Sequence, residues 1–306
     1  MFGGNAGMRM LALIFIIISS TEVGFMCELR KSYQVKNGVG VIPTALFMMI
    51  TNAFPMITGV VSSQTITWSL TNTMYAVAFA FVALITGILC LIGSAWGNVS
   101  ILVACALLGK LVLPSVYGMI VLPEENVITV YRIIGFLFAF VALALNFVTT
   151  EKEKSSKNSV KFKSACIVVF FTQGLALIII SIVARKGIDG NGFVTTYMAV
   201  STLVIGLVLV ITMIKKPMDF KDKVRKTLSR KSFLIMLLYA VLIYTSDRLG
   251  IACAGIVPLI FQAPVSFCVP IIVVAIMDFI IYREKLNKKQ YVQLVSALLC
   301  CICFMV

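Results

Sequence analysis

The feature that most constrains this chain is a succession of apolar runs of about twenty residues, separated by short clusters of charge. An α-helix of that length crosses the hydrocarbon core of a bilayer. Because 60% of the residues are hydrophobic and 12% are charged, the sequence predicts an all-α polytopic membrane protein with no room for a soluble domain. Ten spans are predicted at about 8–28, 38–61, 69–92, 99–122, 127–148, 164–184, 192–214, 232–253, 257–281 and 289–306.

The order of the spans suggests an internal duplication. A longer charged connection at 149–163 falls at the centre of the chain, and aligning Pro114 with Pro270 matches helix four to helix nine. The sequence therefore predicts a first five-helix repeat at 1–148, a linker, and a second five-helix repeat at 164–306. An odd number of spans per repeat makes the two repeats inverted in the bilayer, with a site near the midplane between them.

The charges in the loops predict an orientation. Twenty of the 26 Lys and Arg residues follow the odd-numbered helices, several of them in the predicted connection 215–231. The opposite side carries Arg9, Arg132, Arg185 and Lys186. By the positive-inside rule the basic side is cytoplasmic, which makes this a multi-pass protein of the cytoplasmic membrane with both termini outside. Anionic lipid headgroups also explain the net charge of +14, so no nucleic-acid partner is expected.

Several kinds of chemistry are excluded by composition. The chain has no histidine, which removes histidine-based catalysis and metal ligation. Its nine cysteines lie mostly inside apolar runs without metal-ligand spacing. No nucleotide-binding glycine loop, intramembrane aspartate pair or serine elbow is present. The chain is therefore predicted not to be an enzyme and to need no metal or cofactor.

One apolar helix, ILVACALLGKLVLPSVYGMIV, carries a cation near its midpoint. Lys110, Pro114 and Tyr117 lie at positions i, i+4 and i+7 and share one face. The same face continues through Val103 and Ala106. Because a charge at mid-bilayer is costly, Lys110 is expected to face a partner, a wet cavity or a substrate. It could hold a substrate carboxylate or phosphate, or neutralise a carboxylate of the protein.

Glu22 is the second charge predicted inside the membrane, one turn after Ser19 in helix one. It could exchange protons, bind a cation or pair with Lys110. In one arrangement the two charges bridge each other at rest and are separated by a zwitterionic substrate. In another, protonation of Glu22 releases the lysine and couples transport to pH.

Polar and helix-bending residues complete the candidate set. Asp247 and Arg248 could form a gate or an interfacial pair, and intramembrane amides could bind substrate or hold helices together. Prolines inside helices supply the bends that alternating access uses. The substrate-binding candidates are Glu22, Lys110, Asn72, Tyr75, Tyr117, Gln173, Gln262 and Ser266, and the coupling or gate candidates are Glu22, Asp247, Arg248, Pro114 and Pro270.

Two segments, PSVYGMIVLPEENVITVYRIIGF and PIIVVAIMDFIIYREKLNKKQYVQL, place a proline in helices four and nine and an acid before the last helix of each half. The acids are Glu124, Glu125 and Glu284. With the ten-span layout, these segments resemble the drug/metabolite transporter superfamily of the EamA type. The resemblance implies a secondary transporter with a central cavity lined by both halves. It also implies cytoplasmic termini, opposite to the orientation that the loop charges predict.

The sequence thus predicts a secondary transporter or exporter of a small polar metabolite or drug, amine or amino-acid-like, working by alternating access, with proton coupling through Glu22 as one mechanism. One alternative is a nucleotide-sugar or organophosphate anion exchanger in which Lys110 and Arg248 hold the phosphate. Another is a lipid-linked flippase subunit or a structural membrane component. The expected partners are a small-molecule substrate and membrane lipids, and the chain is expected to be a monomer or a homodimer.

Overall fold

The computed structural model describes residues 6–62, 69–93, 96, 99–124, 129–150, 159–215, 217–281 and 288–305. Within these residues the chain forms eleven α-helices and no β-strand. The helices are α1 (Ala6–Asn37), α2 (Val41–Ser62), α3 (Leu70–Ile92), α4 (Val99–Val121), α5 (Val130–Thr150), α6 (Ser159–Arg185), α7 (Gly190–Lys215), α8 (Pro217–Thr227), α9 (Arg230–Ala254), α10 (Leu259–Ile281) and α11 (Lys288–Met305).

Eight of the helices found in the described residues are long and apolar enough to cross a membrane: α1, α2, α3, α4, α6, α7, α9 and α10. Helices α5 and α11 contain shorter apolar stretches, Val130–Ala142 and Tyr291–Phe304. The predicted class, an all-α polytopic membrane protein, is therefore confirmed. The count of ten crossings stays a prediction.

Two of the predicted boundaries were wrong. Helix α1 continues to Asn37 instead of ending near residue 28, so Arg30 belongs to a helix and not to a loop. The predicted connection 215–231 contains the eleven-residue helix α8. This helix forms because Phe220 and Val224 pack against the hydrophobic core around Tyr33, while its charged residues face outward.

Helices α1 and α6 end in the same way. Gly38 and Gly187 follow them with φ angles of 71° and 64°, the left-handed conformation that glycine adopts most readily and that closes many helices. Each glycine leads into a helix that is buried continuously near its start, over 42–48 in α2 and 192–198 in α7. The α1–α2 and α6–α7 connections therefore resemble each other, because each contains a left-handed glycine and leads into a continuously buried helix start.

Helices α2 and α7 pack against each other in antiparallel orientation. Thr195, near the start of α7, occupies the space beside Gly59, near the end of α2. At the other end, Met48 of α2 shares a core cluster with Leu209 of α7. Around this pair, α1 packs on α9 and α10, α6 packs on α3 and α4, α4 packs on α10, and α5 packs on α11.

Part of the predicted layout lies beyond what the structure describes. Helix α5 ends at Thr150 and α6 begins at Ser159, so 151–158 of the predicted linker falls outside the described residues. Glu125 and Glu284 also fall outside them. The division into two repeats and a linker stays a prediction.

Candidate functional site

A cavity of about 240 Å³ lies between α1, α2, α3, α4, α6, α7 and α9. It is mostly apolar, but three charged side chains line it: Arg30, Lys110 and Asp247. Gln173 and Ser201 add further polar groups to the lining. Two cations and one carboxylate therefore share a space large enough for a small metabolite.

Lys110 enters the cavity from α4. Val103 and Ala106 line the cavity with it, so the part of this α4 face that runs from Val103 to Lys110 is turned toward the cavity. Tyr117, further along the predicted face, is not among the lining residues. Lys110 forms no ion pair with a carboxylate in the described part of the chain. Its ammonium group is therefore available to a substrate anion.

Arg30 is the second cation of the cavity, and it comes from α1. Its Nη2 donates a hydrogen bond of 2.6 Å to the hydroxyl of Tyr239, and its guanidinium group lies 5.7 Å from the centre of that ring. Its Nε is buried and has no hydrogen-bond partner in the part of the chain that the structure describes. Among the described residues no carboxylate forms an ion pair with it. Arg30 is thus positioned by an aromatic ring and keeps donors free.

Asp247 of α9 is the carboxylate of the cavity. The hydroxyl of Tyr197 in α7 donates a hydrogen bond to its Oδ2. Neither Lys110 nor Arg30 pairs with it in the described residues. Because a carboxylate accepts several hydrogen bonds, Asp247 can still accept one from a substrate amine.

Two aromatic pairs flank the cavity, and all four residues line it. Phe47 and Tyr239 have ring centroids 4.8 Å apart, and Phe79 and Tyr197 have ring centroids 4.7 Å apart, both in edge-on contact. Phe47 lies near the start of α2 and Tyr197 near the start of the antiparallel α7. The pairs therefore lie toward opposite ends of the cavity. Each tyrosine hydroxyl is hydrogen-bonded to one charged side chain, Tyr239 to Arg30 and Tyr197 to Asp247.

Two pairs of hydrogen-bonded hydroxyl groups join neighbouring helices at the wall of the cavity. Ser19 of α1 and Ser246 of α9 are hydrogen-bonded at 3.0 Å, and Thr86 of α3 donates to Thr172 of α6 at 2.7 Å. Such bonds between hydroxyl groups stabilise packed helices in a medium that offers them no water. Ser246 and Thr86 also line the cavity and so connect its wall to this packing.

Glu22 does not line the cavity and does not pair with Lys110. Its Oε1 accepts a hydrogen bond of 2.7 Å from Thr245 of α9, and its Oε2 is buried without a hydrogen-bond partner among the described residues. The bridge between the two charges that the sequence suggested is therefore absent from this structure. The physical reason is orientation, because Lys110 lines the cavity whereas Glu22 lies off the cavity-lining face of α1 and faces Thr245 of α9.

The remaining substrate-binding candidates are distributed over the fold. Gln173 lines the cavity, as predicted for a binding amide, although its role stays a prediction. Asn72 and Gln262 are buried near the starts of α3 and α10, each with a side-chain oxygen lacking a partner. Tyr75 lies under Lys186, whose Nζ is 5.1 Å from its ring centre. Ser266, Pro114 and Pro270 lie within α10 or α4 and do not line the cavity.

Arg248 lies outside the central cavity, in a separate hollow of about 470 Å³ that Asp189 also lines. Its guanidinium group is 4.6 Å from the centre of the Tyr244 ring, and no described residue forms a hydrogen bond with its buried Nε. Asp189 accepts hydrogen bonds from the backbone N–H groups of Asn191 and Gly192 and so caps α7. Arg248 and its neighbour Asp247 thus face different spaces.

Sequence reasoning missed Arg30, Tyr197 and Tyr239. Arg30 was counted with a loop, although Val23, Met26, Cys27 and Arg30 recur at helical spacing and together line the cavity. Tyr197 had a weaker signal. Aligning the buried starts of α2 and α7 matches it to Phe47 and matches Ser201 to Thr51, which all line the cavity.

Comparison with known proteins identifies the fold. No family model matches the sequence, and no curated protein matches it significantly. Solved structures do match, and one of them, a crystal structure of a protein, has a TM-score of 0.69 at 11% sequence identity. The match covers 98% of this chain and 96% of that chain. The chain therefore shares a known fold over almost its whole length, and this likeness shows the fold alone.

Proposed function

We propose that this chain is a secondary transporter that carries a small metabolite with a carboxylate or phosphate group by alternating access. The observation that carries this proposal is the central cavity with two cations, Arg30 and Lys110, neither of which forms an ion pair with a carboxylate of the described residues. An unpaired cation inside a membrane protein costs free energy, and an acidic group of a substrate would offset that cost. The proposal keeps the resemblance to EamA-type drug/metabolite transporters.

We also infer an inverted repeat of two five-helix halves, which would allow alternating access. The exchange pairs α1 with α6, α2 with α7, α3 with α9, α4 with α10 and α5 with α11. Under it the α1–α9 contact takes the place of the α6–α3 contact, and the α4–α6 contact takes the place of the α10–α1 contact. The antiparallel α2 and α7 form the centre of this exchange, and a glycine with a left-handed φ precedes each of them. In such a scaffold a substrate site lies between the halves and opens alternately to the two sides.

The aromatic pairs fit the role of the two gates. When the two halves are exchanged, the Phe47–Tyr239 pair, on α2 and α9, occupies the position of the Tyr197–Phe79 pair, on α7 and α3. In our proposal, one pair separates while the other stays in contact. A substrate acid would compete for Arg30 at one end, and a substrate amine would compete for Asp247 at the other. Binding would thereby loosen the contacts that close the cavity.

The charges favour two substrate classes. An amino-acid-like zwitterion would place its carboxylate at Lys110 or Arg30 and its amine at Asp247. An organic or phosphorylated anion is the second candidate. The observation in its favour is that the cations of the lining outnumber its one carboxylate, so an anion would neutralise the site. In this second case the transporter would work as an exchanger.

The expected result of a thermal-shift screen separates these classes. Amino acids, organic acids and phosphorylated metabolites are added to purified protein, with simple amines as the matched comparison. A ligand that binds the folded state raises the unfolding temperature, and the rise grows with the logarithm of the ratio of ligand concentration to dissociation constant. We expect compounds with an acidic group to stabilise the protein and simple amines to leave it unchanged. Stabilisation by amines alone, or by no solute at all, would contradict the proposal and favour the structural or lipid-handling alternatives.

A further inference from the structure

A second polar hollow lies at one end of the helix bundle, and none of the residues assigned to transport lines it. It has a volume of about 470 Å³ and is lined by Lys215 at the end of α7 and by Lys223 and Lys226 of α8. The segment 37–43, which joins α1 to α2, forms the other wall. None of the residues described as lining this hollow is an acid. We refer to it as the basic hollow.

Helix α8 holds two of these lysines in place. Phe220 and Val224 anchor the helix on the core, and Lys223 and Lys226 are exposed one turn apart on a different face. None of the three lysines forms an ion pair in the described residues. Three like charges around one space repel each other, and an anion between them would relieve that repulsion.

The start of α2 adds backbone donors to the same space. Gly38 turns the chain with a φ of 71°, and the first hydrogen bond of the new helix runs from the Thr44 N–H to the Gly40 carbonyl. The N–H groups of Val41 and Ile42 precede that bond, and N–H groups in a first helical turn lack intrahelical partners. Together with the helix dipole, they favour a negative charge near the three lysines.

The position and the rim of the hollow identify its occupant. The membrane-spanning candidates α1 and α7 end at Asn37 and Lys215, so the hollow lies where spanning helices leave the hydrocarbon core. Its rim is apolar, because Val39 and Val41 line it and are 41% and 54% exposed. We propose that the basic hollow binds the phosphate headgroup of an acidic membrane lipid, with an acyl chain against these valines.

A lipid titration of the purified full-length chain tests this proposal. Phosphatidylglycerol, phosphatidylcholine and soluble glycerol 3-phosphate are added separately to protein in detergent, and the unfolding temperature is measured. We expect phosphatidylglycerol to raise it by several degrees and the other two compounds to leave it unchanged. The variant Lys215→Gln/Lys223→Gln/Lys226→Gln should lose this shift. The matched variant Lys161→Gln/Lys163→Gln/Lys221→Gln removes three exposed lysines that do not line the hollow and should keep it.

Each other outcome would overturn the assignment. An equal shift in both triple variants would mean that the lipid acts through the general surface charge. A shift produced by glycerol 3-phosphate as well as by the lipid would mean that the hollow binds a soluble anion. If the hollow variant unfolds before titration, the single change Lys226→Gln is measured against Lys221→Gln instead. Because no transport step is measured, the result does not depend on the proposed function.

Discussion

Replacing Lys110 by glutamine is expected to lower the affinity for an acid-bearing substrate by about 10- to 100-fold. A hydrogen bond to a charged group contributes roughly 1.5–3 kcal/mol, and each 1.4 kcal/mol corresponds to a factor of about ten in affinity. Lys110 forms no ion pair in the described residues, although its charge acts on the nearby carboxylate of Asp247, so the change breaks no direct contact with a carboxylate of the protein. The variant should therefore fold normally while binding weakly. The measurement is the dissociation constant of the strongest ligand from the solute screen.

Two variants serve as controls for this prediction. Lys161→Gln removes an exposed cation of α6 that does not line the cavity, and it should bind as the unmodified protein does. Glu22→Gln keeps an oxygen that can accept the hydrogen bond from Thr245, and it should change the affinity by less than about threefold. An unchanged affinity in Lys110→Gln would remove this lysine from the site. A large loss in Glu22→Gln would restore the carboxylate as a binding residue.

Replacing Gly109 by alanine is expected to destabilise the fold by about 3 kcal/mol, at the upper end of the cost of overpacking. The side chain that alanine adds would meet the backbone carbonyl of Phe170 in α6, which cannot rotate away. On the facing helix, Gly174 lies directly against the Gly109 carbonyl and the side chain of Leu113. The α4–α6 contact thus depends on two glycines that let the helix backbones approach closely.

The control for this effect is Gly206→Ala in α7, where no neighbouring atom lies within 4 Å of the added carbon. Because alanine has the higher helix propensity, this variant should be as stable as the unmodified protein or up to about 1 kcal/mol more stable. Thermal denaturation of both variants in the same detergent provides the comparison. Equal midpoints would show that α4 and α6 do not pack as closely as described.

The sequence predicts what depends on local composition. Apolar length was sufficient to find the membrane-spanning helices, because the bilayer sets the length that each must have. The stripe of Val103, Ala106 and Lys110 was predictable as a cavity face, because a cation at mid-membrane needs a polar surrounding. The predicted termini and the assignment to one membrane stay predictions.

What the sequence did not predict depends on contacts between distant helices. Arg30 belongs to the cavity because Tyr239, on α9, accepts its hydrogen bond. Glu22 is separated from Lys110 because it faces Thr245, also on α9, whereas Lys110 faces the cavity. No local pattern encodes which helix becomes a neighbour. Helix α8 was missed for a similar reason. Its highly charged sequence is typical of a loop, and it forms a helix because Phe220 packs against a core built by other helices.

The central claim is that the cavity around Lys110 carries an acidic solute across the membrane. Counterflow in proteoliposomes tests it most directly, with the best ligand unlabelled inside and labelled outside. We expect saturable uptake that preloading accelerates, that Lys110→Gln lowers by about tenfold or more at low substrate concentration and that Lys161→Gln retains. Uptake that rises linearly with concentration as in protein-free liposomes, or that is unchanged in Lys110→Gln, would contradict it.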